Sequence, residues 1–218
     1  MRLLATTLAL AAALATGAAC DPASLTPDQA PGATGPGAGA TAGAATSSDL
    51  DSLTVADHLP MAGYSRDKFH IWAEQGNGCN TREVVLKRDG QAVRTGAGCK
   101  VTSGTWRSPY NGRTYTDPLK LDIDHVVPLA NAWASGAKNW TAGQRESFAN
   151  DLTRPQLLAV DLSDNRAKGD QDPAQWRPPL RSFWCTYATD WVTVKAYWRL
   201  TVTSAEKTAL REMLETCG

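Results

Sequence analysis

Two short segments hold most of the side chains able to do chemistry. The first is Leu121-Asp122-Ile123-Asp124-His125-Val126-Val127-Pro128-Leu129, in which a histidine directly follows a carboxylate. The second, about 40 residues on, is Leu162-Ser163-Asp164-Asn165-Arg166-Ala167-Lys168-Gly169-Asp170. Phosphodiester hydrolysis needs a base for water, a hard cation for the developing charge, and cationic or amide groups to hold the phosphate. A neutral imidazole is a base near pH 7. A carboxylate with an amide oxygen suits Mg²⁺, which keeps several of its waters and leaves positions open for phosphate. Either segment alone carries little weight, because Asp-His pairs are common and Asn-Arg-x-Lys is an ordinary helix start. Their order, separation and settings together make a candidate site.

The chain has only three histidines, which prunes other chemistries. No H-E-x-x-H, no G-x-S-x-G and no glycine-rich loop ending in Gly-Lys-Ser/Thr occurs. His58 and His70 stand without a motif and read as structural or surface residues.

The elements that must position these groups follow from local patterns. Residues 48–59 read as a short helix with Leu50 and Leu53 inward. Asn80-x-x-Glu83 resembles a capping box opening a helix that ends near Gly90, with a strand as the competing reading of 84–88. Residues 101–115 suit strands and turns. The run 119–127 alternates, with Leu121, Ile123 and His125 on one face and Asp122 and Asp124 on the other, and Pro128 ends it. Thr141-x-x-Gln144 opens a helix to about Asn150. A short strand at 157–160 leads to a turn at Ser163-Asp164 and a brief helix over 165–168. Beyond Pro178-Pro179 two helices follow, one carrying Tyr187, Trp191, Val194 and Trp198, the other capped by Thr203-x-x-Glu206. These aromatics read as core.

Composition sets the limits. Residues 1–19 read as an export signal, with Arg2 ahead of a largely apolar run and small residues up to Ala19. Cys20 then stands where a lipoprotein carries its lipid, with ordinary cleavage as the alternative. Residues 20–47, rich in Ala, Gly, Pro, Thr and Ser, read as a disordered tether. The remainder, 48–218, is one domain, and it contains all eight tryptophans. Setting Cys20 aside leaves Cys79, Cys99, Cys185 and Cys217, an even number that in an exported chain implies two disulfides rather than zinc. Cys185 starts one helix and Cys217 ends the next, so an antiparallel helix pair brings them together and Cys79–Cys99 follows by elimination. Net charge is zero, with 22 acidic and 22 basic residues, which is not the balance of a tight non-specific nucleic-acid binder.

These blocks resemble the HNH endonucleases with a ββα-metal core (the HNH/His-Me finger). More closely, they are similar to an exported bacterial HNH family related to the C-terminal domain of the GmrSD restriction enzyme. The D-x-D-H-x-x-P-L block is Asp122 to Leu129, and the N-R-x-K-G-D block is Asn165 to Asp170. The segments 64–67, 79–82, 133–137, 148–152 and 172–176 resemble the family too. The resemblance implies an α+β fold whose ββα-metal core is embedded in a mostly helical domain with two disulfides. It implies Asp124 and Asn165 as ligands of a divalent cation (Mg²⁺, with Mn²⁺ as the alternative), Asp122 as an auxiliary acidic residue and His125 as general base. The residue that orients the base is usually Asn or His; here Gln156 stands nine positions before Asn165, and Asn150 is the other candidate. Arg166 and Lys168 are the implied phosphate contacts. The implied partner is nucleic acid, DNA first, for a monomer without a small-molecule cofactor, secreted or anchored by lipid to the outer face of the membrane. Two other readings stand beside it: a non-catalytic HNH-like module that binds metal or nucleic acid, and a cell-surface interaction protein.

Overall fold

The computed structural model describes residues 48–218. The export signal, the tether and Cys20 lie outside the described residues. Among the described residues the α-helices and strands are, in chain order, α1 (48–52), α2 (Thr81–Asp89), β1 (Gln91–Thr95), β2 (Val101–Arg107), β3 (Thr114–Tyr115), β4 (Leu121–His125), α3 (Leu129–Ala134), α4 (Ala142–Ala149), β5 (Leu157–Asp161), α5 (Leu162–Lys168), α6 (Trp184–Trp198) and α7 (Ser204–Leu214). The fold class is α+β.

Two antiparallel sheets form, β1-β2-β3 and β4-β5. In the second, Leu121 faces Asp161 and His125 faces Leu157 with no register shift. α5 follows β5 directly and packs back on both strands, so β4, β5 and α5 make a ββα unit. The segment between the strands carries α3 and α4, whose buried residues join α6 and α7 in the larger core. Leu121 and Ile123 face a smaller core with Val85, Leu86 and Trp106.

Caps account for most boundaries. The Asn80 side chain accepts from Glu83 N, which opens α2 and decides 84–88 as helix. The Glu83 carboxylate turns away to accept from Val101 N at 2.6 Å, so it ties α2 to β2 rather than closing a reciprocal box. Full capping boxes open α4 at Thr141–Gln144 and α7 at Thr203–Glu206. Gly90 ends α2 where the Trp106 indole comes so close that a Cβ would meet Nε1 at 2.4 Å. That indole donates to Leu86 O at 2.7 Å and joins helix to sheet.

Three expectations are corrected. The first helix stops at 52, because the chain then pairs with residues near Val202 through Ala56 N to Val202 O and Val202 N to Thr54 O. β4 starts at Leu121, because Asp117 caps a 3₁₀ turn over Pro118–Lys120. No separate turn stands at Ser163-Asp164: Asp161 caps α5 at once by accepting from both of those amides at 3.0 Å. Both expected disulfides, Cys79–Cys99 and Cys185–Cys217, are formed.

Candidate active site

β4 delivers Asp124 and His125 to the open end of the ββα unit, and α5 delivers Asn165 and Arg166 beside them. All four line a cavity of about 200 Å³ together with Arg66 and Asp170. Asp124 and His125 are both buried, so strand alternation does not leave either of them in solvent.

The His125 ring is fixed from two directions. Nε2 lies 2.9 Å from the carbonyl oxygen of Ala149, the last residue of α4. A carbonyl can only accept, so Nε2 carries the proton and Nδ1 keeps its lone pair. Trp72 stacks on the ring with centroids 5.8 Å apart. Nδ1 has no hydrogen-bond partner among the described residues, and the ring lines the cavity. Burial pushes the imidazole pKa down to about 3; the Ala149 carbonyl opposes this, and Arg66 and Lys168 add to it. The ring is therefore a neutral acceptor throughout the physiological range.

Asp124 is held as firmly. Lys168 Nζ donates to Oδ1 at 2.9 Å, to Oδ2 at 2.7 Å and to the His125 carbonyl oxygen at 2.8 Å, which uses all three ammonium protons. The Tyr110 hydroxyl donates to Oδ2 as well. Burial raises the Asp124 carboxyl above its ordinary range, while Lys168 and Tyr110 pull it back. A carboxylate accepts about four hydrogen bonds. One lone pair on Oδ1 therefore remains for a ligand in the cavity. Asn165 lines the same cavity, and its amide oxygen is of the type that could join this lone pair in holding a hard divalent cation. Asp122 Oδ2 lies 3.4 Å from Asn165 Nδ2 and so fixes which way that amide points.

The GmrSD restriction endonuclease C-terminal domain matches residues 82–213, more than half of the chain and the whole ββα unit. The chain belongs to that family. A protein of Arthroderma benhamiae, named "Uncharacterized secreted protein", is 57% identical over 168 residues, which cover 77% of this chain and 82% of its own length. That relative is fungal, so the bacterial restriction on the expected family is not supported. No solved structure matches the chain.

For this GmrSD C-terminal domain the structure brings Asp124, His125, Asn165 and Arg166 together and engages three expected residues, Gln156, Asn150 and Lys168, in other contacts. Gln156 makes no bond to His125: its Oε1 accepts from Val127 N at 3.1 Å and its Nε2 donates to Val127 O at 2.9 Å. It splints the chain just past the histidine. Asn150 is also engaged elsewhere, with Ala73 N, Thr81 Oγ1, His70 O and Glu146 O. Lys168 is fully buried with its protons spent on Asp124 and His125, so its place is inside the site and not on a phosphate.

Four contributors were missed. Arg66 had a signal, since it lies in the Tyr64–Asp67 segment that resembles the family. Trp72 fell in a stretch with no clear period. Tyr110 sits in a turn-rich segment, and the Ala149 carbonyl is backbone, which no residue type announces.

Proposed function

We propose that this chain is a metal-dependent endonuclease that hydrolyses phosphodiester bonds of nucleic acid, DNA first. The observation that carries the reading is the His125 ring. It is held in one tautomer by Ala149, its Nδ1 is unpartnered among the described residues, and it lines a cavity with Asp124, Asn165, Arg66 and Arg166. Membership of a restriction endonuclease family supports the same chemistry.

In this reading Nδ1 of His125 takes a proton from a water molecule, whose oxygen forms the new bond to phosphorus as the bond to the 3′ oxygen breaks. As that proton arrives, the Ala149 carbonyl steadies the imidazolium through Nε2–H. Arg66 and Arg166 flank the cavity as exposed cations and hold the phosphate oxygens, a role Arg fills through its forked donors. Asp124 and Asn165, with Asp122 steadying the amide, would hold a divalent cation that supplies Lewis-acid stabilisation of the charge building on phosphate, Mg²⁺ or Mn²⁺ by the donor set. Lys168 and Tyr110 keep Asp124 in place.

Two disulfides and a relative named as secreted support export. One observation favours the non-catalytic alternative: the Lys168 ammonium already sits on the carboxylate that a cation would use. Incubation of supercoiled plasmid with the purified chain and Mg²⁺, with and without EDTA, separates the two. Nicking that EDTA stops is the expected result; intact plasmid under both conditions rules out the endonuclease reading and leaves the two non-catalytic ones.

A further inference from the structure

A second group of potential ligands lies away from the Asp124–His125 cavity. We propose that His58, Asp172 and Glu206 form a binding site for a zinc-type divalent cation. One ligand atom from each of these residues comes within 4.8 Å of the other two. They come from three separate stretches: the segment after α1, the loop after α5, and the first turn of α7. A cavity of about 440 Å³, lined by His58, Asp172, Asn131 and Thr203 among others, opens onto the group.

The partners already present leave the right atoms free. Asp172 is buried, and only its Oδ1 is occupied, by Ala174 N at 2.8 Å. Oδ2 has no partner among the described residues. Glu206 is fully buried, and its Oε1 is taken by Trp191 Nε1 and Lys195 Nζ, each at 2.6 Å. Its Oε2 accepts from Thr203 N at 3.3 Å, the second bond of the capping box, and keeps one lone pair. His58 is exposed and makes no hydrogen bond or ion pair with either carboxylate. Two buried carboxylates thus stand against one buried ammonium, Lys195, which leaves about one negative charge uncompensated; Asp172 lines the cavity and Glu206 lies behind it. A buried charge in that position is costly unless a counter-ion meets it.

The chemistry of the set selects the ion. One imidazole nitrogen and two carboxylate oxygens are all ligand types that zinc takes, and three of them leave a fourth tetrahedral position for water. Mg²⁺ and Ca²⁺ prefer oxygen alone. An ion placed equally between atoms 4.8 Å apart would lie at most about 2.8 Å from each. Zinc needs about 2.0–2.2 Å, so the group must close by several tenths of an ångström. His58, on the surface, is the member free to do so. The ion would tie the first described segment and α7 to the loop that leaves α5. Asp170, two positions before Asp172, lines both this cavity and the one at His125.

The test is a titration of the metal-free chain with Zn²⁺, followed by thermal unfolding, and with Co²⁺, followed by visible absorption. It is run on wild type, His58→Ala, Asp172→Asn and Asn165→Ala. With excess Mg²⁺ present to fill the Asp124–Asn165 site, wild type and Asn165→Ala should take up one Zn²⁺ alike at His58, gain the same rise in Tm, and show the intense Co²⁺ bands of a low-coordinate site. His58→Ala and Asp172→Asn should bind at least tenfold more weakly and lose that rise. His58 is exposed, so its alanine variant keeps the fold, as circular dichroism will report. Zinc uptake unchanged by His58→Ala, uptake abolished by Asn165→Ala, or no uptake by wild type would each overturn the proposal. Mg²⁺-dependent plasmid cleavage, read on the same variants, reports separately on the endonuclease reading.

Discussion

Lys168 and Asp124 are a buried ion pair, with Nζ 2.7 Å from Oδ2 and neither side chain open to solvent beyond 6%. The pair joins α5 to the end of β4, and through the His125 carbonyl the same ammonium reaches the residue beside it. The rigidity of the site therefore rests on a residue whose type suggests a surface cation.

Removing one member of such a pair leaves the other charged and alone. Lys168→Met should lower the free energy of unfolding by roughly 3–5 kcal/mol. Urea denaturation of the variant against wild type measures it. A loss below about 1 kcal/mol would mean that Asp124 is solvated or protonated without Lys168.

Gln156 closes both polar groups of Val127 inside the protein. Gln156→Met leaves a buried N–H and a buried C=O without partners, at about 1–3 kcal/mol for each. The expected variant is clearly less stable, yet its cleavage rate per folded molecule, taken well below its Tm, stays within about tenfold of wild type. A loss as deep as that of a general-base variant, with stability unchanged, would give Gln156 the orienting role that Ala149 now holds.

What could be read in the sequence was what is local. Asp124-His125 at the end of a strand, the caps at Asn80, Thr141 and Thr203, and the helical spacing of Tyr187, Trp191 and Trp198 each depend on residues a few positions apart. The site's supports are different. Lys168 and Asp124 are 44 positions apart, and Tyr110 and Asp124 are 14 apart. Which of Lys168 and Arg166 turns inward depends on how α5 lies on β4–β5, and the pattern N-R-x-K is silent on that. The residue that holds His125 could not be inferred, because it holds the ring with a main-chain carbonyl.

Asp190 gives a pH signature. Burial raises its carboxyl from the ordinary 3.8 to about 7, so between those values the folded chain binds the proton that the unfolded chain releases. This contribution is fully present below about pH 4 and is lost as pH rises through 7. The shift sets an upper bound of about 4 kcal/mol, and partial exposure of the side chain brings the expected change to about 1–2 kcal/mol. Asp190→Asn should therefore gain stability over wild type at pH 8 and not at pH 4. Parallel stability-pH curves for the two proteins would refute it.

Arg66 and Arg166 are exposed at the cavity rim, so replacing them should leave the fold intact. Each change to Ala should weaken DNA binding and lower the slope of log K against log salt by about 1. Fluorescence anisotropy at several salt concentrations, with Ca²⁺ in place of Mg²⁺, reads this. An unchanged slope would move the phosphate contact elsewhere.

The central claim is that His125 is the base. It is tested most directly by the initial rate of plasmid nicking in Mg²⁺ for wild type and His125→Ala at equal concentration, with circular dichroism on both. The account predicts a folded variant whose rate is lower by roughly 10²–10⁴-fold. Equal rates in the two proteins would contradict it.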